Sequence, residues 1–178
     1  MSLIVVEGPD GSGKTTLIAA LRRRSPKYFW GVRASRNPGS FSNLVNACSW
    51  LNVAALHSAP LVVTDRHPLV SEPIYATVLR RPALATPGWF KEKWQTDLHC
   101  ITCLIYCKPP RLVIAENLLK GGQQLVGVPE NISTIIDLYD GLISELIDEY
   151  GIKVRYYDYL SSNPADFQDT FEEFFDEE

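Results

Sequence analysis

One stretch constrains this chain more than any other. Residues 8–15 read Gly8-Pro9-Asp10-Gly11-Ser12-Gly13-Lys14-Thr15, directly after the apolar run Leu3-Ile4-Val5-Val6 and Glu7. The spacing is G-x-x-x-x-G-K-T, which lets successive backbone N–H groups curl inward around a phosphate while Lys14 adds a mobile cation. With glycine near 7% of residues in general, chance produces this pattern in under roughly 1% of chains of comparable length. The device works only between a strand and a helix, because the helix N-terminus contributes its partial positive charge to the same anion. Both neighbours are in place: the apolar run reads as a buried strand, and the residues from Lys14 onward read as a helix.

The rest of the chain continues that alternation. The patterns predict strands over 3–7, 28–33, 61–64 (ending at Asp65), 101–107 and 153–157. They predict helices over 14–24, 43–57, 71–80, 89–98, 111–120 and 132–150, with Ser71 as the N-cap of the third and Gly121-Gly122 stopping the fifth. Residues 33–42 and 123–130 read as loops, and Asn163-Pro164 opens a short acidic helix over 164–178. Strands alternating with helices predict a three-layer α/β domain around a parallel sheet. At 178 residues the chain has the size of one domain, 1–178, able to bury a core without disulfides or metals.

Composition narrows the function classes. Hydrophobic residues make up 46% and charged residues 21%, ordinary for a globular protein and incompatible with disorder throughout. No apolar run approaches the ~18 residues of a membrane span, and the start turns acidic too soon for a secretory signal; a cytoplasmic setting is the expectation. The net charge is −4, but residues 164–178 carry seven acids and no base, which leaves the rest of the chain at +3. The overall balance speaks against strong non-specific nucleic-acid binding while allowing a basic cleft for a phosphorylated ligand. The run His99-Cys100-Ile101-Thr102-Cys103-Leu104-Ile105-Tyr106-Cys107 invites a zinc reading. It lies in a predicted strand, where Cys100 and Cys103 point to opposite faces, and no second ligand pair sits at finger-like spacing; buried thiols are the expectation. His57 and His99 read as structural.

Phosphate loops serve switches, motors and kinases alike. The N-K-x-D sequence that reads guanine is missing, and the chain is short for a motor. The third strand ends in Asp65-Arg66-His67, at the carboxyl edge where ligands bind in open parallel sheets. Asp65 suits Mg²⁺, and Arg66 has the forked geometry for a phosphate. The loop after the second strand offers Arg36.

At this point the sequence resembles a family. Residues 7–16 look like the loop of thymidylate kinases, Arg36-Asn37-Pro38-Gly39 resembles their Arg-Glu-Pro-Gly segment, and Asp65-Arg66-His67 with Ser71 and Tyr75 is similar to their Asp-Arg-Tyr segment. The compact form looks most like the small thymidylate-kinase-like proteins of bacteriophages. The resemblance implies a P-loop kinase fold with a five-stranded parallel sheet in the order 2-3-1-4-5 and a short lid, here 120–130. It implies a phosphotransferase acting on a pyrimidine deoxynucleotide (a dTMP-like acceptor), with ATP and Mg²⁺ as cofactors and a candidate homodimer seam on helix 43–57. By position, Gly8, Pro9, Asp10, Gly11, Ser12, Gly13, Lys14, Thr15 and Thr16 would hold ATP; Thr15 and Asp65 would serve the metal. Asp10 would meet the acceptor sugar, with Arg36, Arg66 and Tyr75 around the acceptor, and Lys14, Asp10, Asp65 and Arg66 would be catalytic. Arg111 and Lys120 are the cations at hand for the lid.

The departures from the family define an alternative. Asn37 stands for the family's Glu, His67 for its Tyr, and the lid contains no arginine. Related phage enzymes phosphorylate 5-hydroxymethyluracil within DNA, where the acceptor is a base hydroxyl. For that reading Trp50, Trp89, Trp94, Phe90 and Tyr75 would supply a stacking wall, and Lys91, Lys93, Arg80 and Arg81 a DNA path. A non-catalytic nucleotide-binding module is the remaining reading. In the acidic tail, Phe167, Phe171, Phe174 and Phe175 form an apolar stripe expected to pack on the chain's own domain or on a second copy.

Overall fold

The computed structural model describes residues 3–24, 30–33, 39–57, 62–98, 101–121 and 126–167. Arg36, His99, Cys100 and the segments 122–125 and 168–178 therefore lie outside the described residues.

The first strand, β1 (Leu3–Glu7), is buried along its whole length, as a near-continuous apolar run must be when helices cover both faces of a parallel sheet. It is followed by α1 (Lys14–Arg24), β2 (Trp30–Arg33), α2 (Phe41–His57), β3 (Val62–Asp65), α3 (Pro68–Val78), α4 (Pro87–Asp97), β4 (Ile101–Cys107), α5 (Arg111–Lys120), α6 (Ile132–Tyr150) and β5 (Val154–Tyr157). The strands form one parallel sheet in the order β2-β3-β1-β4-β5. Register pairs Val6 with Asp65 and Glu7 with Tyr106, so the carboxyl ends of the three central strands lie side by side.

The two-residue period of β1 divides the core. Leu3 and Val5 face a cluster built with α2, α3, α4 and α6. Ile4 and Val6 face a second cluster with Leu17 and Leu21 of α1, plus Tyr157 and Phe167. This is the expected α/β layering. Cys48 in the first cluster and Cys103 and Cys107 in the second are buried free thiols, and among the described residues no three metal-binding side chains gather. No helix among the described residues is long and apolar enough to cross a membrane. Phe167 ends a 3-10 turn, Pro164–Phe167, and packs edge-on against Tyr157 with ring centroids 5.4 Å apart. The stripe beyond it lies outside the described residues.

The start of α3 corrects the expected boundary. The helix begins at Pro68 rather than Ser71, because His67 caps it: its Nδ1 accepts from the Leu69 N–H, and proline at the first position has the right φ already. Ser71 is instead a buried residue of the first turn. Pro73 sits inside the same helix and has no N–H to give the Leu69 carbonyl one turn back. Trp94 Nε1, from α4, donates to that carbonyl at 3.0 Å. A tertiary contact thus replaces the missing helical bond.

Candidate functional site

The loop between β1 and α1 is shaped by its glycines. Gly8 has φ +140°, and a Cβ there would stand 2.6 Å from the Cys107 carbonyl oxygen. Gly13 has φ +89°, and a Cβ there would meet the Tyr159 ring at 2.8 Å. Neither position admits a side chain. An anion cradle turns N–H groups inward, so its carbonyls face outward and need donors of their own. Lys14 Nζ donates to the carbonyls of Gly8 (2.8 Å) and Pro9 (2.6 Å). Arg66 adds a second donor to Gly8, and Asn117 of α5 donates to Gly11 at 2.9 Å. Burial, with the charge of Arg66 next in importance, pulls the Lys14 ammonium down to about 8. Thr15 and Thr16, at the start of α1, are exposed.

Across from the loop, β3 ends in Asp65 and the chain turns sharply. Arg66 holds φ 76°, a left-handed conformation that is strained for a residue with a side chain. The strain persists because both halves of the residue are fastened. Its N–H donates to the Val6 carbonyl, and its guanidinium donates to Gly8 O (3.0 Å), Tyr139 OH (2.8 Å) and Asp10 Oδ1 (2.8 Å). The Tyr75 ring lies under the guanidinium at 5.3 Å, and its hydroxyl donates to Asp10 Oδ2 at 3.1 Å. Asp10 of the loop, Arg66 of the β3 turn and Tyr75 of α3 thus meet in one cluster. The expected grouping of these three is observed, but Arg66 is buried and fully engaged within the protein rather than presented as an open phosphate grip.

Beneath them lies Glu7, entirely buried. Its carboxylate accepts from Gly8 N–H (3.2 Å), His67 N–H (2.6 Å), Ser71 OH (3.1 Å) and Tyr139 OH (3.1 Å). Burial pushes its carboxyl up, and the Arg66 charge and these donors pull the other way. Glu7 therefore joins β1, the loop, the β3 turn, α3 and α6. Sequence reasoning gives it no role, though an acid closing a buried apolar strand is a signal. Tyr139, on the apolar face of α6, carries no such signal, and neither do Asn117 and Tyr159.

Other expected residues are placed elsewhere. Tyr75, Phe90 and Trp94 are core residues, so they cannot form an open stacking wall; Trp50 is exposed, and Trp89 is half-buried against Phe41 and Phe90. Arg81 is clamped on the buried Glu72, and Lys93 pairs with Asp97 one turn on, which removes both from a continuous basic path. Lys91 faces Glu145 at 3.7 Å, and Arg80 is exposed. Arg111 pairs with Asp137 and Asp140 of α6, and Lys120 stands 3.7 Å from Glu116. His67 is buried as the α3 cap and is pulled by burial to about 4, hence neutral.

A hydroxyl at Thr15 and a carboxylate at Asp65, on adjoining elements at the sheet edge, make a donor set that suits Mg²⁺. That ion keeps several waters and leans on substrate phosphates instead of a full protein cage.

No protein-family model matches the sequence, and no curated protein sequence matches it. Solved structures match over nearly the whole chain. YorR protein from Bacillus subtilis, in complex with phosphorylated GDP, is similar with a TM-score of 0.65 at 18% identity, over 98% of this chain and 95% of that one. Deoxyadenosine kinase from M. mycoides with bound dCTP gives 0.64 at 12% identity, over 98% and 99%. The same enzyme with dCMP and a flexible dCDP gives 0.62 at 15% identity, over 99% and 100%. At these identities the likeness shows the fold alone, an α/β fold around a parallel sheet similar to that of the nucleotide kinases matched.

Proposed function

We propose that this protein is an ATP- and Mg²⁺-dependent kinase that transfers the γ-phosphoryl group to a pyrimidine deoxynucleotide. One observation carries the reading: Asp10, a residue of the phosphate loop, is bonded to Arg66 at 2.8 Å and to Tyr75 at 3.1 Å, so donor loop and opposite wall converge on one carboxylate. In-line transfer requires two polar substrates to be held face to face, and most of its catalysis is positioning and charge neutralisation. YorR in complex with phosphorylated GDP and deoxyadenosine kinase with bound dCTP support a nucleotide as substrate.

The roles follow from the chemistry of the residues. The backbone of the loop, through the N–H groups of residues 11–16, and Lys14 bind the donor phosphates. Thr15 and Asp65 would hold the metal, which when bound neutralises charge on the β- and γ-phosphates. Asp10, oriented by Arg66 and Tyr75, addresses a hydroxyl of the acceptor; Arg36 is the proposed grip on an acceptor phosphate. As the acceptor oxygen bonds to the γ-phosphorus, the bridging bond to ADP breaks. The exposed Trp50, Val53 and Leu56 on the outer side of α2 support a homodimer seam there.

A second reading is favoured by the burial of Arg66. With its guanidinium bonded to Gly8, Tyr139 and Asp10, the described part of the site suits a hydroxyl acceptor, such as 5-hydroxymethyluracil within DNA, that brings no phosphate to be gripped. One assay separates the readings. ATP labelled at the γ-phosphate is offered with Mg²⁺, deoxynucleoside monophosphates, and DNA containing thymine or 5-hydroxymethyluracil. Label in a free diphosphate supports the first reading, and label only in hydroxymethyluracil DNA supports the second. In either case Lys14→Ala is expected to lower the rate by about 10²–10³-fold, the scale of a lost transition-state donor. Turnover unchanged in Lys14→Ala, or no transfer by the unaltered chain, would sink the kinase reading.

A further inference from the structure

The helix that leads into the 120–130 loop is hydrogen-bonded to the phosphate loop through the side chain of Asn117. Asn117, half-buried on α5, donates both hydrogens of its amide, one to the Gly11 carbonyl at 2.9 Å and one to the Tyr159 hydroxyl at 2.8 Å. The fit around it is close: a Cβ on Gly11 would meet the Ile114 carbonyl at 3.0 Å and the Asn117 Cβ at 3.3 Å. Tyr159 closes the other flank by packing on Gly13.

The consequence for the loop comes from peptide geometry. In a planar trans peptide the C=O and the following N–H point in opposite directions. Holding the Gly11 carbonyl outward on Asn117 therefore turns the Ser12 N–H across the loop. There it meets only a long partner, the Pro9 carbonyl at 3.3 Å, a weak bond that an incoming phosphate oxygen can replace. Gly11 lacks the side chain that would otherwise restrain this peptide, so an external donor has to do it. The Gly8 and Pro9 carbonyls are held by Lys14, which itself faces the phosphates. The Gly11 carbonyl is held instead by a helix that continues into the lid-like segment.

We propose that Asn117 is a positioning residue for the donor site, one that fixes the Gly11–Ser12 peptide in its anion-binding orientation and couples α5 to the state of that peptide. This rests on the reading that the loop holds ATP. Phosphate binding strengthens the inward orientation of the Ser12 N–H, hence the outward orientation of the Gly11 carbonyl, hence the seating of α5.

The test uses the full chain and a non-hydrolysable ATP analogue with Mg²⁺. Asn117→Leu keeps the volume and removes both donors; Asn117→Ala serves should the leucine variant fold poorly; Tyr159→Phe removes only the second partner. Leu112→Ala, at an exposed position on the same helix, is the control. Calorimetric titration is expected to show about tenfold weaker analogue binding for Asn117→Leu, the scale of one lost hydrogen bond, and under about threefold for Tyr159→Phe. In turnover, KM for ATP is expected to rise while KM for the acceptor stays put, a split that general loosening of the structure does not produce. By hydrogen exchange, the analogue is expected to protect the amides of 111–121 and 126–131 in the unaltered chain and to protect them less in Asn117→Leu. Analogue affinity within twofold of the unaltered chain in both Asn117 variants overturns the proposal, as does protection that is the same with and without Asn117. Absence of analogue binding by the unaltered chain overturns the functional reading itself, and this inference with it.

Discussion

His67 shows what burial does to one side chain. Its ring caps α3 through Nδ1, so the proton of the neutral ring sits on Nε2, which is buried with no hydrogen-bond partner among the described residues. Burial pulls its pKa to about 4 from an ordinary 6.5. Between those values the unfolded chain binds a proton that the folded chain refuses, so stability falls as pH drops from 6.5 toward 4 and levels off below. The full effect is about 3 kcal/mol at 1.36 kcal/mol per unit. In the variant His67→Asn, asparagine keeps a good capping oxygen without a titrating group. Urea unfolding at pH 7 and pH 4.5 is expected to show the unaltered chain losing about 2–3 kcal/mol more than His67→Asn; equal losses would refute the assignment. Lys14 follows the same rule at higher pH. Its pKa of about 8 lies below the unfolded value, so between about 8 and 10.5 the unfolded chain again holds the extra proton and stability rises with pH. Function moves the other way. Over the same window the free loop loses its cation, and on the proposed reading ATP affinity compared at pH 7.5 and 9.5 is expected to fall, by up to about 25-fold in the limit where bound phosphate keeps the proton on Lys14 throughout.

At the scale of the element, α3 is a helix with a proline inside it, held by a neighbour. The Leu69 carbonyl has lost its helical donor to Pro73 and takes the Trp94 indole N–H instead. Removing that donor leaves a buried acceptor unmade, which costs about 1–3 kcal/mol, and phenylalanine leaves a small void besides. Trp94→Phe is therefore expected to lower stability by about 2–3 kcal/mol. In a Pro73→Ala background the restored N–H takes over part of the bond, and the loss is expected to shrink by about 1 kcal/mol. A double-mutant cycle measures this directly, and strict additivity would rule the account out. The end of α3 carries a second tie of the same kind, the Arg81 clamp on buried Glu72. Removing one partner of a buried pair strands the other, so Arg81→Ala is expected to cost about 2–4 kcal/mol in a chemical unfolding experiment.

In the whole molecule the sheet separates two cores of unequal thickness. One is deep and built from four helices; the other is closed by α1 and by Phe167 after the last strand. The thinner side depends on few residues. Phe167→Ala is expected to cost about 3–5 kcal/mol, the range for a buried aromatic in a core that cannot collapse around the gap. Thermal melting that moves by less than a few degrees would show that the turn at Pro164–Phe167 is dispensable. The same layering places the site. Parallel strands bring every carboxyl end to one edge. Glu7, Asp65 and the loop after β1 are therefore neighbours, through the Val6–Asp65 register, although 58 positions separate Glu7 from Asp65 along the chain.

The sequence alone determined the local parts. The turn between β1 and α1 was legible because Gly8, Gly11 and Gly13 take the positive φ that glycine adopts without strain. Most helices and strands were legible because each buries a face with its own period. The start of α3 was not, because Ser71 has the better capping side chain in isolation, whereas His67 is where the β3 turn ends. Only the tertiary structure decided the partners. Nothing in the segment around Arg66 says that its guanidinium is spent on Gly8, Asp10 and Tyr139, the last 73 residues away. Nothing near Trp94 says that its N–H completes another helix, or near Asn117 that it serves a glycine carbonyl 106 residues earlier. Spacing along the chain encodes periodicity and backbone conformation, which are local. The satisfaction of a buried polar group is settled by whichever donor packing brings within about 3 Å, and that choice exists only once the sheet has assembled.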